Sequence, residues 1–489
     1  MGYGGVGSCG SCRINRTVED MKSILCIAVC VVMLVSCKGG ASNEATADSG
    51  VPHFAWMDTV GAHTYPSSDK VFHVNAYGAV GDAVKNCTEA IQKAIDAAEA
   101  AGGGKVTFAP GMYLTGSIFV GNNVNLEIPH GTTLLGSENI EDYKKIDTRV
   151  AGVEMNWPSA LINIIGKSNA AISGDGVVDG RGKVFWQKYF AMREEYNPKG
   201  LRWIVDYDCE RPRGILISDC KNITVKDIAL YRPGFWSLHI LYSQSVTVDG
   251  VIISNNIEMK GPSTDGIDID SSSSILVQNC NINCNDDNFC LKAGRDSDGL
   301  RVNRPCEYVL IRNCVAGYGH GLFTCGSETS GGIRHIVAHD LKASGTGYGL
   351  RFKSTFQRGG TIEDIYLFNI EMDSVVKPFG VDLNWHPTYS NSKLPEGYNY
   401  DELPIHWKKM LEQVPEEKGI PKFRNIHLQN VTARNSKYCI LCVGHEKSTL
   451  DGFTFKNVRL EGETFGSLKH TKDWDREGLV LVSADGTKE

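Results

Sequence analysis

Short stretches of alternating apolar and polar residues recur through most of the chain. Eight of them share one pattern, in which alternating apolar positions are followed by Asn or Asp close to a further apolar residue. They start at Asn222, Ser245, Ser274, Tyr308, His335, Asp364, Asn425 and Gly452, and only the step between the sixth and the seventh is long. A period of two predicts β-strands. A repeat of about 22–30 residues predicts a solenoid of stacked parallel strands, whereas a propeller blade would need about 40.

One helical pattern precedes these strands. Between Thr88 and Ala101 the apolar residues Ile91, Ala94, Ile95 and Ala98 fall on one helical face, and three glycines follow. Strand-like segments at 105–108 and 117–120 come next. Because the open end of a solenoid would expose unpaired strand edges, we expect this helix to cap the N-terminal end.

The single long step between repeats contains a segment at 383–419 that is rich in Trp, Tyr, His and Pro. We interpret it as an insertion projecting from one coil, with one or two helical turns at 408–413. Insertions in solenoids cluster on the binding face. Trp385, His386 and Tyr389 are therefore expected either to form a wall of a cleft or to pack beneath the insertion.

The N-terminal region has the features of an export signal. Met21 and Lys22 precede an apolar run, 24–35, that is too short to span a bilayer comfortably. Leu-Val-Ser-Cys at its end resembles a bacterial lipobox, which predicts Cys37 as the lipidated first residue of the mature protein. In the alternative, an ordinary signal peptide, Cys37 is incidental. Translation is expected to start at Met21.

These features divide the chain into three parts. Residues 1–36 are assigned to an upstream segment with a lipoprotein signal, 37–69 to a tether and lead-in, and 70–489 to the solenoid domain. We expect an exported monomer in the cell envelope, in contact with the membrane only through the lipid at Cys37. The formal charge is −7, or −8 without residues 1–36. Nucleic acid is excluded as a partner, and an anionic ligand would need local Arg and Lys.

Sixteen cysteines are present, of which eleven follow Cys37. An odd number cannot all pair. Cys220, Cys280 and Cys314 recur beside the repeated pattern, which favours one stack of buried thiols. The metal-like spacings at 280/284 and 439/442 lack a second pair, so neither a metal nor an organic cofactor is expected.

Five aspartates lie in the single segment 263–294, at Asp265, Asp268, Asp270, Asp286 and Asp287. Carboxylates gathered where water is partly excluded raise the proton affinity of at least one member. An acid and a base can then coexist, as hydrolysis of an acetal requires. The alternative is that Asp and Asn fill turns between strands. Asp268 and Asp270 are assigned as strand or turn residues without a catalytic role.

Four short motifs lie on successive coils: STDG with Asp265, NDDN with Asp286 and Asp287, GHG with His320, and RFKS with Arg351 and Lys353. Coils stack about 4.8 Å apart, so equivalent positions form a ladder. The first two motifs are separated by close to one short coil, so their aspartates are expected on adjacent coils. Consecutive aspartates can serve one cleft only at a turn or bulge. The Arg and Lys share one strand face and suit a sugar carboxylate.

In this order the motifs resemble glycoside hydrolase family 28, the polygalacturonase family, over about 71–458. GRDSDG at 294–299, GSETSGG at 326–332 and RGG at 358–360 resemble its bacterial exo-acting branch. The resemblance implies an all-β, right-handed single-stranded parallel β-helix of the pectin-lyase-like type. It also implies an enzyme that cleaves α-galacturonosidic linkages in pectic polysaccharides or oligosaccharides with inversion.

The resemblance also implies roles for the motif residues. Asp286 matches the general acid, and Asp265 and Asp287 match the pair that activates water. His320 matches a residue that supports protonation of the acid. Arg351 and Lys353 match the residues that bind the galacturonate carboxylate. Inversion leads us to expect carboxyl groups roughly 6.5–9.5 Å apart.

The sequence departs from the family pattern at Ser263, where Asn is usual, and at Asn285 and Asn288, where Gly and Cys are usual. These changes raise rhamnogalacturonan as a possible substrate. A further set on earlier coils is expected to line an outer subsite: Arg211, Arg213, Trp236 and His239. For Trp236 and His239 the alternative is that they are packed. Two alternatives to the hydrolase remain: a β-helix polysaccharide lyase, with an Arg or Lys base and usually Ca²⁺, and a glycan-binding β-helix without catalysis.

Overall fold

The computed structural model describes residues 52–487, which form a parallel β-helix with three sheets along its length. The first sheet contains β1 Val71–His73, β3 Gly104–Thr107, β6 Val124–Glu127, β11 Ser168–Ser173, β14 Lys221–Lys226, β17 Gln244–Asp249, β20 Ser273–Gln278, β23 Cys306–Ala316, β25 Ile333–Ser344, β27 Thr361–Asp373, β29 Lys422–Val443, β31 Thr454–Lys469 and β33 Leu479–Ser483. All its pairings are parallel.

The second sheet contains β2 Asp82–Asn86, β4 Gly111–Thr115, β7 Thr132–Gly136, β12 Val177–Asp179, β15 Ala229–Tyr231, β18 Ile252–Ser254 and β21 Asn281–Asn283, and continues through the C-terminal parts of β23, β25 and β27. The third sheet contains β5 Ile118–Phe119, β10 Ile162–Ile165, β13 Ile215–Ser218, β16 Leu238–Leu241, β19 Ile267–Asp270, β22 Asp287–Lys292, β24 Gly321–Cys325, β26 Tyr348–Lys353 and β28 Lys377–Asp382, and ends on β29.

A few elements lie outside this arrangement. Two strands, β8 Lys145–Val150 and β9 Val153–Pro158, form an antiparallel hairpin. The short strands β30 Leu450–Asp451 and β32 Thr471–Lys472 extend the first sheet, because β30 pairs with Phe423 and Arg424 of β29. The α-helices are α1 Thr88–Ala100, α2 Lys183–Tyr196, α3 Val205–Asp208, α4 Asp296–Val302, α5 Pro387–Ser390, α6 Ile405–Leu411 and α7 Glu416–Gly419. Short 3₁₀ helices occur at Ala55–Asp58, Val74–Tyr77, Ile140–Asp142, Asn197–Lys199, Arg202–Ile204 and Tyr400–Glu402.

The register confirms the repeat spacing. In the first sheet Ile223 is aligned with Val246, and Val246 with Ile275, so the first three repeats occupy successive coils. Ile365 is aligned with Ile426, which shows that the long step between repeats is one coil with an insertion. Inward side chains at these positions are fully buried. Stacking of such rows forms one continuous apolar core along the solenoid.

Helix α1 caps the N-terminal end as expected. Its buried residues are the four apolar positions of the sequence pattern, and it packs against β1, β3, β5 and β6. Residues 54–64 lie along the outside of the first sheet. There the ring of Phe54 packs against the ring of Tyr366 with centroids 4.7 Å apart, and the Gly61 amide donates to the carbonyl of Ser274. The three-part division of the chain stays a prediction.

The predicted insertion follows β28. The helical turns predicted at 408–413 correspond to α6, which begins at Ile405, directly after Pro404, because proline is tolerated at a helix start but not in a helix interior. Trp407 from α6 packs against Trp203 with ring centroids 5.3 Å apart, which fixes the insertion to the body of the solenoid.

The eleven cysteines of the described residues are buried and unpaired. Cys280 and Cys314 stack on adjacent coils, since the amide of Cys280 lies 3.4 Å from the Cys314 sulfur. The prediction that Cys220 shares this stack is wrong. It precedes its strand, whereas Cys280 follows its own, so Cys220 lies beside Ser243 in another row.

Within residues 52–487, no helix has the length and apolar character needed to cross a membrane. The predicted signal segment and Cys37 lie outside the described residues.

Candidate active site

Three carboxylates converge at the edge of the third sheet. Asp265 precedes β19, Asp286 lies in a bend, and Asp287 is the first residue of β22. The amide of Gly266 donates to the carbonyl of Asp287, so the first and third aspartates lie side by side on adjacent coils. One oxygen of each carboxylate lies within 4.8 Å of the other two. The bend before β22 brings both members of the consecutive pair into this cluster.

This spacing corrects one expectation. A separation of roughly 6.5–9.5 Å is expected for an inverting pair, and the nearest oxygens are closer than that. The reason is local: Asp286 lies beside Asp287 in the bend, and the strand after them is aligned directly with the strand that follows Asp265.

Asp287 is completely buried and bound by three donors. Lys353 donates from Nζ to Oδ2 at 2.6 Å, Arg351 from a terminal nitrogen to Oδ1 at 2.9 Å, and Thr324 from its hydroxyl to Oδ1 at 3.0 Å. Burial opposes ionisation, but the two cations outweigh it and hold the pKa of Asp287 far below its ordinary value. The carboxylate is therefore anionic at neutral pH.

Asp286 pairs with the histidine predicted beside it. Nδ1 of His320 lies 3.2 Å from Oδ1 of Asp286. The charge of Asp286 raises the pKa of His320 against the effect of burial. Burial favours a neutral Asp286, yet His320 outweighs it and lowers the pKa of this carboxyl. These two shifts place the proton of the pair on His320, at the mouth of the cleft, because the His320 side chain is half exposed.

Asp265 has the opposite electrostatic character. Burial and the charges of Asp286 and Asp268 raise the pKa of Asp265 well above its ordinary value, although Lys292 lies 3.6 Å away and opposes the shift. The site therefore combines one strongly anionic carboxylate with one that retains a proton. These groups titrate as a unit.

Sequence reasoning missed a second layer beneath these carboxylates. Lys292 lies 3.5 Å from Asp268 and 3.2 Å from Glu328, and all three side chains are buried. Neither oxygen of Asp268 has a hydrogen-bond partner among the described residues. Asp268 lies in a strand, as assigned, but alternation along β19 places it on the outward face, next to the site. The alternation of apolar and acidic residues along β19 could have predicted this position of Asp268 from the sequence.

Asp270, the next outward residue of β19, is structural. It binds Arg149 of the β8–β9 hairpin at 2.9 Å.

Asp265 and Asp286 open into a cleft of about 390 Å³, and Asp287 is buried beside them. Its wall includes Tyr189, Phe190 and Arg193 from α2, which no repeat pattern could locate. The insertion also contributes to the wall, through Trp385, His386 and Tyr389. Of the two expectations for these residues, the wall of a cleft is therefore confirmed. The ring of Trp385 covers Lys353, with Nζ 4.4 Å from the ring centroid.

The expected outer subsite is mostly absent. Of its four residues only Trp236 lines the cleft. The prediction is wrong for Arg211 and Arg213, which are buried and do not line the cleft, whereas His239 is packed, as one of its two alternatives stated. Buried partners hold the arginines there: Arg211 binds Asp206 at 3.0 Å. Arg213 donates to Nδ1 of His239, and burial lowers the pKa of that histidine to about 4.

Two groups of side chains in residues 52–487 could hold a cation by geometry: Asp265 with Asp268 and Cys290, and the three catalytic candidates Asp265, Asp286 and Asp287. Lys292, Lys353 and Arg351 lie within ion-pair distance of these carboxylates. Side chains of the protein thus already balance much of the negative charge that would attract a divalent ion.

Comparison with known proteins decides the family. The sequence profile of glycosyl hydrolases family 28 matches residues 121–403, more than half of the chain. The chain belongs to glycosyl hydrolase family 28. It is therefore a glycoside hydrolase that acts on O-glycosyl bonds.

Individual relatives agree with this assignment. The chain is similar to a probable polygalacturonase from Vitis vinifera, with 27% identity over 449 residues that cover 86% of this chain and 85% of the relative. It is similar to an exo-poly-alpha-D-galacturonosidase from Dickeya chrysanthemi, with 25% identity, 84% of this chain and 71% of the relative. The solved exopolygalacturonase of Thermotoga maritima shares the fold, with a TM-score of 0.70, 24% identity, 86% of this chain and 94% of that one.

Proposed function

We propose that this family 28 enzyme removes galacturonate from the ends of pectic chains. The observation that carries the proposal is the convergence of Asp265, Asp286 and Asp287 beside Arg351 and Lys353 in one cluster at the cleft. The first three supply acid and base chemistry, and the last two supply positive charge for an acidic sugar. The names of the Vitis and Dickeya relatives support the same substrate class.

In the proposed reaction Asp286 donates a proton to the glycosidic oxygen as the bond to the anomeric carbon breaks. The protonated His320 supplies the proton that Asp286 passes on, because Asp286 raises the pKa of that imidazole. Asp265 and Asp287 orient a water molecule, and Asp287, the ionised member of the pair, accepts its proton as the water oxygen bonds to the anomeric carbon. The products are a saturated sugar and a shortened chain with a free hydroxyl.

The spacing of the carboxyl groups is closer to the range of about 5–5.5 Å for retaining enzymes than to the range for inverting enzymes. Retention requires a carboxylate that attacks carbon. Both oxygens of Asp287 already accept hydrogen bonds, and Asp265 retains its proton, so neither is an effective nucleophile. We therefore propose inversion. Proton NMR of the first-formed anomer tests it, and an unchanged configuration would favour a covalent intermediate.

Action at chain ends is supported by the walls of the cleft. Ala151, at the tip of the β8–β9 hairpin, lines the cleft, and the Arg295 amide donates to Gly152 beside it. Helix α5 packs against the 3₁₀ helix Arg202–Ile204, which follows α2 in the chain. These segments rise on several sides of the carboxylates, and such enclosure suits a chain terminus.

The departures from the family pattern bear on the backbone that is cut. Ser263 donates to Asp206 and Asn288 donates to the carbonyl of Gly321, so both side chains are engaged within the protein. Asn285 faces the cleft. Rhamnogalacturonan therefore remains a second candidate substrate beside homogalacturonan.

The deciding experiment is mass-resolved product analysis on oligogalacturonides and rhamnogalacturonan oligosaccharides, with and without EDTA. We expect saturated galacturonate released from one end and no effect of EDTA, because protein cations balance the carboxylates. An unsaturated product would indicate a lyase. No product from either panel would favour a binding protein without catalysis.

We also propose that the protein is exported as a monomer and anchored by a lipid at Cys37. The support is the apolar run before Leu-Val-Ser-Cys. Labelling of cells with a radioactive fatty acid should mark the wild type and not Cys37→Ser. Label in both proteins would contradict the anchor, and sedimentation of the purified domain tests the monomer.

A further inference from the structure

The α2 side of the cleft carries positive charge that the catalytic scheme does not use. Arg193, in the last turn of α2, lines the cleft and is partly buried. Its guanidinium carbon lies 5.9 Å from the centroid of the Tyr189 ring. Among residues 52–487 Arg193 forms no ion pair, so this cation faces the cleft without an acidic partner.

A second arginine lies on the same wall. Arg202 donates to Asp206 at 2.8 Å and to the Tyr189 hydroxyl at 3.3 Å. Its Nε is buried and has no hydrogen-bond partner within the described part of the chain. Asp206 is also bound by Arg211 at 3.0 Å. One carboxylate thus serves two guanidinium groups, and with Arg193 the wall keeps an excess of positive charge.

The insertion adds a third group. His386 is exposed and lines the same cleft. Partial burial of its ring and the nearby charges of Arg202 and Arg193 lower the pKa of His386, so its imidazole is neutral at neutral pH. Three distant segments therefore bring donors to one place. These groups have lost part of their hydration in the cleft. An anion bound there would accept charge-assisted hydrogen bonds from them in place of water.

The sheet side of the cleft differs. Arg351 and Lys353 each bind Asp287, which offsets part of their charge. A sugar with one carboxylate could be held by these two residues alone. A substrate with two carboxylates brings a second charge that the net charge of −7 repels unless local cations receive it. The α2 wall supplies those cations.

We propose that Arg193, with Arg202 and His386 beside it, forms a second carboxylate-binding subsite, so that the enzyme selects substrates with two uronate residues in the cleft. This rests on the proposed function. The volume of about 390 Å³ is at the small end for ligand sites, which suits a short chain terminus. The subsite would favour a polygalacturonate end over a backbone in which uronates alternate with neutral sugars.

The test compares Arg193→Met with Lys188→Met on digalacturonate and on its two mono-methyl esters. Lys188 is exposed on the same helix and does not line the cleft, so it controls for loss of one charge. Loss of a hydrogen bond between charged groups should raise KM for digalacturonate roughly 10- to 100-fold in Arg193→Met, with little change in kcat. On the ester that lacks the recognised carboxylate, Arg193→Met should cause no further loss. Lys188→Met should match the wild type.

An unchanged KM in Arg193→Met would overturn the subsite while leaving the proposed function intact. Equal losses on digalacturonate and both esters would also overturn it, because the arginine would then act on folding or shape. If the wild type cleaves none of the three substrates, the proposed function is contradicted and the subsite is still to be decided. Calorimetric titration of digalacturonate into wild type and Arg193→Met then decides the subsite, and equal affinities would overturn it.

Discussion

Lys353 donates a hydrogen bond of 2.6 Å from Nζ to Oδ2 of Asp287, at the floor of the cleft. A residue expected to hold the substrate carboxylate is thereby joined to a residue expected to activate water. The cation has two effects: it offers charge to the sugar, and it keeps Asp287 ionised in a buried position. The geometry therefore couples substrate binding to the protonation state of the base.

Replacement of Lys353 by Met should move the acid limb of the pH profile. Asp287 must be ionised to act as a base, so activity falls as pH drops through its pKa. Because Lys353 lowers that pKa, its loss should raise the pKa and shift the acid limb of kcat/KM upward by about 1–3 pH units. Lys353→Arg, which keeps the charge, should shift it much less. An acid limb that does not move would show that it reports another group.

Asp286→Asn should reduce kcat about 10²- to 10⁴-fold with little change in substrate affinity. Its amide keeps the size of the side chain but cannot donate a proton as a carboxylic acid does. Steady-state kinetics and calorimetric titration of digalacturonate measure the two quantities. Asp69→Asn, an exposed change that does not line the cleft, is the matched control. Activity near that of the control would remove Asp286 from the role of acid.

Much of the fold was accessible from the sequence because its determinants are local. The period-two pattern and the spacing of the eight repeats predict which residues align, as Ile223, Val246 and Ile275 show. The same register brings Asp265 beside Asp287. The bend at Asp286 was also predictable, since two consecutive residues of a regular strand cannot share a face.

The walls of the cleft were not accessible in this way. Helix α2 and the β8–β9 hairpin belong to no repeat, so nothing in the period places Arg193 or Ala151 at the cleft. Charge was equally misleading, because Arg211 is drawn beneath the surface by Asp206 rather than toward substrate. Pairing between buried charges depends on long-range contacts, which a local pattern does not encode.

Trp385→Ala should weaken substrate binding more than it slows the chemical step. The ring lies over Lys353 at 4.4 Å and within 5.9 Å of Arg351, so it shields both cations from water and holds them in place. We expect KM to rise about 3- to 30-fold, which corresponds to a cation–π contribution of about 0.5–2 kcal/mol. Trp385→Phe should retain part of the effect. A normal KM in the Ala variant would indicate that the ring only lines the wall.

The β8–β9 hairpin should depend on one buried ion pair for its position. Arg149 binds Asp270 at 2.9 Å and the Ser271 hydroxyl at 2.7 Å, and both charged side chains are fully buried. Removal of one partner leaves a buried charge without compensation, so Asp270→Asn should lower the free energy of unfolding by about 3–5 kcal/mol at pH 7. Urea denaturation measures this change, with Asp69→Asn as the exposed control.

The pH dependence provides the stricter test. Burial disfavours ionised Asp270, but Arg149 and His239 outweigh it and lower the pKa of this carboxyl below that of the unfolded chain, about 3.9. The stabilisation is therefore present above about pH 4 and is lost as pH falls through the lower folded-state pKa. The difference in unfolding free energy between wild type and Asp270→Asn should shrink from pH 7 to pH 3. A difference that stays constant would mean that Asp270 stabilises the hairpin by packing rather than by its charge.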